Sequence, residues 1–328
     1  YSFIVPVYNR PNETEELLQS FSELETTIPF EIVIVEDGST IPSDNVVEHY
    51  RSKLDISYYV KENSGPGDSR NFGMKRAKGN YFIILDSDCI LPKIYLTAVE
   101  TSLNKNYVDC FGGPDAAHKS FTDLQKAINF TMTSVITTGG IRGNKNSVGT
   151  FQPRSFNMGI SKKAFLASGG FGNIHPGEDP DLSIRLWNLG YKTKLIPEAF
   201  VYHKRRISWQ KFYKQVNKFG LVRPILNKWH PTTQKITYWF PTLFSLGLIL
   251  SLLLFFMGFK WFLWLFVLYY IIAFVLAWTT TKSILVASLS LVAISVQFFG
   301  YGYGFLKSTW AILVLNKKPE VRFPNLFF

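Results

Sequence analysis

The chain has 328 residues, of which 47% are hydrophobic and 16% aromatic. This composition supplies enough apolar surface for one large or two modest domains and excludes disordered and collagen-like proteins. Two cysteines, Cys89 and Cys110, are too few for a disulfide scaffold and are typical of a reducing compartment.

The net charge of +11 is unevenly distributed along the chain. Residues 1–198 carry a net charge of −3, residues 199–236 one of +9 and residues 237–328 one of +5. Because the basic excess is local, it does not indicate a nucleic-acid partner. The excess instead indicates a basic segment that faces one particular surface. The position of the segment in the chain indicates what that surface is.

The first 200 residues alternate strand-like and helix-like segments. Apolar runs predict strands at residues 3–5, 31–36, 58–60 and 81–85. Helices are predicted to begin near Asn12 or Thr14 and near Gly67. This order predicts an α/β fold with a doubly wound parallel sheet, whose ligands bind at the carboxyl ends of the strands.

Two aspartates follow the most apolar of these strands. Asp86 and Asp88 place carboxylates on one short turn, an arrangement that suits Mg²⁺ or Mn²⁺ bridging to a diphosphate. The pattern alone more often marks a capped, solvated turn. Three further clusters shift the interpretation toward a metal site, because they occur in one order.

Those clusters place charged side chains at strand or helix ends. Asp37 ends the second strand, and Arg70 lies near a helix start, where it suits an anionic nucleotide. Glu178, Asp179 and Asp181 open an apolar-periodic helix, a position that stabilisation by the helix dipole also explains.

In this order the motifs resemble those of the family 2 glycosyltransferases with the GT-A fold. The shared motifs are Val5-Pro6-Val7-Tyr8-Asn9, Glu36-Asp37-Gly38-Ser39, Gly65-Pro66 with Arg70-Asn71, Asp86-Ser87-Asp88, Asn157-Met158-Gly159, Gly169-Gly170-Phe171, and Glu178-Asp179 with Asp181-Leu182 and Arg185-Leu186. The resemblance extends from Phe3 to about Arg206. It implies a GT-A domain with a Rossmann-like mixed sheet over residues 1–202.

The resemblance also implies a nucleotide-diphosphate sugar as donor, with a UDP-sugar as the first expectation. The residues expected around the donor nucleotide are Pro6, Tyr8, Asp37, Arg70 and Asp86. Asp86 and Asp88 would hold Mn²⁺ or Mg²⁺, with His203 as a further ligand. Asp179 would be the general base of an inverting transfer.

Four residues are expected to contact the acceptor or a phosphate group: Glu178, Arg205, Arg206 and Trp209. The last three lie in or beside a basic segment at residues 203–236, whose apolar residues recur at helical spacing. We interpret this segment as an amphipathic helix at an anionic membrane surface. Docking of the helix on its own protein is the alternative, and the two are compatible.

Residues 237–328 are predicted to form a transmembrane domain with about three helices and a short tail. The apolar runs at 238–258, 261–278 and 284–305 have the length that a membrane span needs. The chain opens in a strand pattern without a charged region of the signal-peptide type, and the basic segment precedes the first span. We therefore expect a multi-pass protein of the cell (inner) membrane with a cytoplasmic catalytic domain.

These observations predict a membrane-anchored glycosyltransferase with a membrane-associated, lipid-linked acceptor. Processive family members carry a Q-x-x-R-W motif, but here Gln215 and Arg223 are the nearest residues and the tryptophan is absent. Because this motif is incomplete, a processive polysaccharide synthase is only the first alternative. A non-catalytic membrane scaffold that binds nucleotide sugars is the second. The sequence leaves open whether the protein forms oligomers.

Overall fold

The computed structural model describes residues 1–116, 121–138, 151–203 and 208–328. They form two compact units, the first containing residues 1–116, 151–203 and Phe328, and the second containing residues 121–138 and 208–327. Residues 121–138 therefore group with the second unit, whereas the sequence analysis placed them inside a domain of residues 1–202.

Strands and helices alternate in the first unit. The strands are β1 (Ser2–Val7), β2 (Glu31–Asp37), β3 (Ile56–Lys61), β4 (Tyr81–Leu85), β5 (Cys89–Ile90), β6 (Cys110–Gly112), β7 (Asp115–Ala116), β8 (Asn157–Ser161), β9 (Thr193–Leu195) and β10 (Val201–His203). The helices of the chain are α1 (Pro11–Ser22), α2 (Asp44–Tyr50), α3 (Pro66–Arg76), α4 (Tyr95–Lys105), α5 (Asp123–Thr133), α6 (Val135–Thr138), α7 (Lys162–Ser168), α8 (Glu178–Asn188), α9 (Trp209–Trp229), α10 (Phe240–Phe256), α11 (Trp261–Thr281), α12 (Ile284–Ser308) and α13 (Pro319–Arg322).

The main sheet has seven strands in the order β3-β2-β1-β4-β8-β6-β9. Strands β1 to β4 are mutually parallel where they pair, whereas β8 runs antiparallel to both β4 and β6. The predicted α/β class with a mixed sheet is thus confirmed. The four strands predicted from apolar runs are β1 to β4.

Successive residues of β1 and β2 point into two different apolar cores. Phe3 and Ile32 belong to one core, while Ile4 and Val33 belong to the other. Because side chains alternate along a strand, a continuous apolar run fits a strand that is covered on both faces. This explains why these strands read as unbroken apolar segments.

A second, three-stranded sheet has the order β5-β10-β7. Strand β10 runs antiparallel to β5, so that His203 lies opposite Cys89. This pairing carries His203 to the turn after β4. It therefore assembles residues that are far apart in the sequence.

The second unit contains three helices that are long and apolar enough to cross a membrane. They comprise Ile236–Phe256, Trp261–Thr281 and Ile284–Val314, the last including a π-helical segment at Thr309–Val314. The predicted number of apolar helices is confirmed. The third is longer than predicted because its helical structure continues beyond Phe305.

The apolar face of α9 is covered by protein. Phe212 and Val216 of α9 are buried in one cluster with Ile128 and Met132 of α5 and Ala293 of α12. The helix therefore docks on its own unit, as the alternative interpretation anticipated. Contact of its exposed lysines with a membrane surface stays a prediction.

Glycines permit α9 and α12 to pack closely. A side chain added at Gly304 of α12 would meet the backbone of α9 at Asn217 and, at 3.1 Å, at the Leu221 nitrogen. A side chain added at Gly220 of α9 would lie 2.9 Å from the Phe305 nitrogen. Because the obstructing atoms belong to the backbone, neither site can accept a larger residue without separating the helices.

We predict that Gly304→Leu lowers the stability of the second unit by about 1–3 kcal/mol, the usual cost of overpacking. The melting temperature of the full chain in detergent micelles measures this effect. Ser288→Leu is the matched control, because Ser288 is an exposed small residue of the same helix. Equal melting temperatures for the two variants would contradict the close packing of α9 and α12.

Candidate active site

Asn9 and Glu36 fix the loops that follow β1 and β2. Asn9 lies just after β1 with a φ of 54°, and its Oδ1 accepts a hydrogen bond from Thr40 N (2.8 Å). Glu36 is buried and accepts hydrogen bonds from Ser43 N and Tyr58 Oη, both at 2.9 Å. The two side chains therefore shape the strand ends where the sequence analysis expects the nucleotide.

Asp37 holds the turn that begins α3. Its Oδ1 accepts hydrogen bonds from Lys61 Nζ (2.6 Å) and Ser64 N (3.0 Å), and its Oδ2 accepts one from Gly65 N (3.0 Å). Gly65 has a φ of 88°, a conformation that glycine adopts without strain. Asp37 thus has a clear structural role, and its contact with a nucleotide stays a prediction.

The turn after β4 places two carboxylates beside a histidine. The Asp88 side chain is 10% exposed and the Asp86 side chain 32% exposed. His203 Nε2 lies 3.2 Å from Asp88 Oδ1 and 4.0 Å from Asp86 Oδ2. Arg10 donates a hydrogen bond to the other Asp88 oxygen. Burial alone would raise the pKa of Asp88, but His203 and Arg10 hold it well below its usual range.

Asp86, Asp88 and His203 fit a hard divalent cation. Asp88 Oδ1 is buried and, among the described residues, has no hydrogen-bond partner. Neighbouring ligands of an octahedral ion with bonds of about 2.1 Å lie about 3 Å apart, which matches the 3.2 Å between this oxygen and His203 Nε2. Cys89 is close by, but burial raises the pKa of its thiol well above the usual value. Oxygen and imidazole ligands therefore suit Mg²⁺ or Mn²⁺.

Arg70 joins two carboxylates from different elements. It lies in α3, is 3% exposed, and donates hydrogen bonds to Asp86 Oδ1 (2.8 Å) and Glu178 Oε1 (2.9 Å). Its guanidinium carbon lies 5.3 Å from the centre of the Phe171 ring. Arg70 thus links the turn after β4 to the start of α8, and its predicted contact with the nucleotide stays a prediction.

Glu178 is the buried partner of this arginine. It is 3% exposed, and its Oε1 also lies 3.1 Å from His175 Nδ1. Burial favours the neutral acid, but His175 and Arg70 lower the pKa of Glu178 to about 2. Glu178 is therefore ionised at neutral pH and is engaged inside the protein, so it offers little surface to an acceptor.

Asp179, the next residue, has a different environment. Its side chain is 15% exposed, and its Oδ2 accepts a hydrogen bond from Ser155 N (3.4 Å). Arg154 Nη1 lies 3.7 Å from the same oxygen. Burial raises the pKa of Asp179, Arg154 lowers it and Glu178 raises it, with a net shift upward. A carboxylate with a raised pKa and one oxygen without a hydrogen bond to described residues suits a general base.

Arg185 fixes the first turn of α8. Its Nε donates to Asp181 Oδ2 (2.9 Å), and its two Nη atoms donate to the carbonyls of Ser168 (2.5 Å) and Gly170 (2.7 Å). The start of α8 is thereby tied to the turn after α7. Asp181 and Arg185 of the sequence motif thus have a structural role. They orient the helix that carries Asp179.

The family model described as "Glycosyl transferase family 2" matches residues 2–165, which is half of the chain. The chain belongs to glycosyl transferase family 2. The predicted family is therefore confirmed. The matched segment includes both carboxylates of the turn after β4.

Sequence relatives in the family are longer than the segment they share with this chain. TarS of Staphylococcus aureus, named a poly(ribitol-phosphate) beta-N-acetylglucosaminyltransferase, is 34% identical over 112 residues, which are 33% of this chain and 20% of TarS. A Haemophilus influenzae protein named as a glycosyltransferase is 29% identical over 191 residues, 56% of this chain and 61% of that protein.

One solved structure shares the fold, and a second is a weaker match. The mannosyltransferase PcManGT of Pyrobaculum calidifontis, solved with GDP-Man and Mn²⁺, has a TM-score of 0.58 at 16% identity and covers 94% of this chain and 87% of its own. S. aureus TarS 1–349, solved with UDP-GlcNAc, has a TM-score of 0.48 at 21% identity and covers 68% and 66%.

The remaining site residues predicted from the sequence lie in three parts of the chain. Pro6 lies within β1, and Tyr8, just after it, is 52% exposed. Trp209 is the first residue of α9, in the second compact unit. Arg205 and Arg206 lie outside the described residues. The roles of these residues stay predictions.

Arg10, Arg154 and His175 lie at the site but were not predicted from the sequence. Arg10 contacts Asp88, Arg154 approaches Asp179, and His175 contacts Glu178. Each is a single polar residue in a loop or at its edge, without a spacing pattern. Arg10 alone had a signal, because it directly follows the Tyr8-Asn9 motif.

We predict that Arg70→Met destabilises the protein by about 3–5 kcal/mol, because it leaves Glu178 buried without its arginine partner. The double variant Arg70→Met/Glu178→Met removes both charges and is expected to regain most of the loss. Thermal unfolding of both variants and of Glu178→Met measures the coupling. Strictly additive effects would contradict the proposed link.

Proposed function

We propose that this chain is a membrane-anchored, inverting glycosyltransferase that uses a nucleotide-diphosphate sugar and a divalent cation. One observation chiefly supports this proposal. Arg70 bonds both to Asp86 and to Glu178, the residue before Asp179. The candidates for cation binding and for the general base therefore belong to one site.

In the proposed reaction Asp179 accepts the proton of the acceptor hydroxyl. The hydroxyl oxygen forms a bond to the anomeric carbon, and the bond from that carbon to the diphosphate oxygen breaks. The electron pair leaves with the nucleoside diphosphate, and attack from the opposite face inverts the configuration. Ser155 N–H holds one oxygen of Asp179, which leaves the other oxygen to receive the proton.

Asp86, Asp88 and His203 would hold the cation. When bound, it would neutralise the negative charge that develops on the leaving diphosphate. Arg70 keeps Asp86 oriented toward this position, and Arg10 does the same for Asp88. The protein's own contribution is thus to preorganise the carboxylates before the substrate arrives.

UDP-GlcNAc is the first donor to test. TarS, whose name describes an N-acetylglucosaminyltransferase, has been solved with this donor and shares 34% identity with this chain over 112 residues. The shared family makes a nucleotide sugar the expected donor class, and the sugar itself is part of the proposal.

We place the active site beside a membrane and expect a lipid-linked acceptor. Three helices are long and apolar enough to span a bilayer, and nine basic residues without a carboxylate occupy residues 199–236. Basic segments next to a span favour the cytoplasmic side. The proposal therefore locates the catalytic domain in the cytoplasm at the cell membrane.

We predict that Asp179→Asn reduces transfer by about 10²–10⁴-fold, the usual contribution of a general base, while leaving the Kd of the donor nucleotide within about twofold. Product formation and nucleotide binding are measured on the same preparation. Asp55→Asn, a change at an exposed carboxylate of the first unit, is the control. Transfer that survives in Asp179→Asn would remove Asp179 as the base.

We predict that His203→Ala weakens Mn²⁺ binding in the presence of UDP by about tenfold or more, because it removes one ligand. Electron paramagnetic resonance of free Mn²⁺ gives the affinity directly. His49→Ala, at an exposed histidine of the same unit, is expected to bind Mn²⁺ like the wild type. An unchanged affinity in His203→Ala would exclude His203 as a ligand.

A further inference from the structure

Arg154 lies beside the proposed base but makes no hydrogen bond through its guanidinium to any described residue. Its backbone oxygen accepts a hydrogen bond from Asn157 N (3.0 Å), which fixes the loop before β8. Its side chain is 20% exposed, and its Nε is buried without a partner. The 3.7 Å from Nη1 to Asp179 Oδ2 is too long for a hydrogen bond.

The other arginines of the site do make hydrogen bonds through their guanidinium groups. Arg10 bonds to Asp88, Arg70 bonds to Asp86 and Glu178, and Arg185 bonds to a carboxylate and two carbonyls. A guanidinium carries five N–H donors, and leaving them unpaired in a partly buried place costs free energy. Arg154 is therefore the arginine of this set whose donors remain available to a ligand.

An arginine next to a general base has a chemical disadvantage. Arg154 lowers the pKa of Asp179 and so makes it a weaker base. A neutral acceptor would leave that effect in place. An anionic group that binds the guanidinium would offset its charge, and at the same time would hold the acceptor against Asp179.

We propose that Arg154 binds a phosphate group of the acceptor, next to the hydroxyl that Asp179 deprotonates. The acceptor class is then an alcohol with a phosphate a short carbon chain away from its reacting hydroxyl. Guanidinium and phosphate match as a bidentate, charge-assisted pair. This inference rests on the proposed function, because it takes Asp179 as the base.

The position of Arg154 favours the acceptor over the donor. The proposed diphosphate position lies at Asp86 and Asp88, whereas Arg154 approaches Asp179. In an inverting transfer the base and the leaving group occupy opposite faces of the anomeric carbon. Two sources share the required chemistry, a soluble polyol phosphate and a phospholipid headgroup that carries free hydroxyls.

The test measures binding to the full chain in neutral detergent by isothermal titration calorimetry. The probes are glycerol 3-phosphate, glycerol as the uncharged control, and short-chain phosphatidylglycerol with phosphatidylcholine as its control. We expect glycerol 3-phosphate to bind more tightly than glycerol, and Arg154→Gln to weaken that binding by at least tenfold. Arg154→Lys keeps the charge and should retain part of it, and Arg51→Gln, at a more exposed arginine, should retain all of it.

Tighter binding of phosphatidylglycerol than of glycerol 3-phosphate, lost in Arg154→Gln, identifies a lipid headgroup. Binding of glycerol 3-phosphate alone identifies a soluble polyol phosphate. Equal binding in the wild type and Arg154→Gln would overturn the inference. Displacement of glycerol 3-phosphate by UDP would also overturn it, since Arg154 would then serve the donor. These affinities require no turnover, so a lack of any nucleotide-sugar turnover would count separately against the proposed function.

Discussion

Arg70 forms the contact on which the geometry of the site depends. Its side chain is almost fully buried and divides its N–H donors between Asp86, on the turn after β4, and Glu178, at the start of α8. A buried carboxylate such as Glu178 is costly to desolvate, and it repels a neighbouring carboxylate such as Asp86. The guanidinium between them offsets both effects, so the chain can place the cation candidates and the base candidate Asp179 together.

Other contacts near the site likewise pair a carboxylate with a fixed hydrogen-bond donor. Lys61 and two backbone N–H groups hold Asp37, Arg10 holds Asp88, and Arg185 holds the first turn of α8. Asp37, Asp88 and Asp181 thus each have a fixed partner before any substrate binds. Preorganisation of this kind is how a transferase stabilises developing charge without reorganising at the moment of reaction. Arg154 differs because its guanidinium makes no hydrogen bond to any of the described residues.

Much of the fold could be predicted because it depends on local pattern. Strands β1 to β4 are continuous apolar runs, and the three apolar helices of the second unit are recognisable by their length and apolar composition. The pairing of β8 between β4 and β6 has no local signal, since Asn157–Ser161 is short and mixed in composition. The burial of α9 could not be decided either, because an apolar face fits a lipid surface and a neighbouring helix equally well. Gly300, Gly302 and Gly304 of α12 mark close contacts with α9 and α10, yet their spacing alone does not name a partner.

The candidate site, like the fold, could be predicted only where residue type and local order carry a signal. The motifs gave Asp86, Asp88 and Asp179 as candidates and the family resemblance gave His203, and the roles of all four stay predictions. The motifs could not show that Arg70 is committed to two carboxylates, nor that Arg154 approaches the base, because those contacts join distant parts of the chain. The most direct test of the central claim is release of nucleoside diphosphate from a panel of nucleotide sugars by the full chain in membranes. The account predicts release from at least one donor, loss of that release on chelation and its recovery with Mn²⁺ or Mg²⁺. Release from no donor, or release unaffected by chelation, would contradict it.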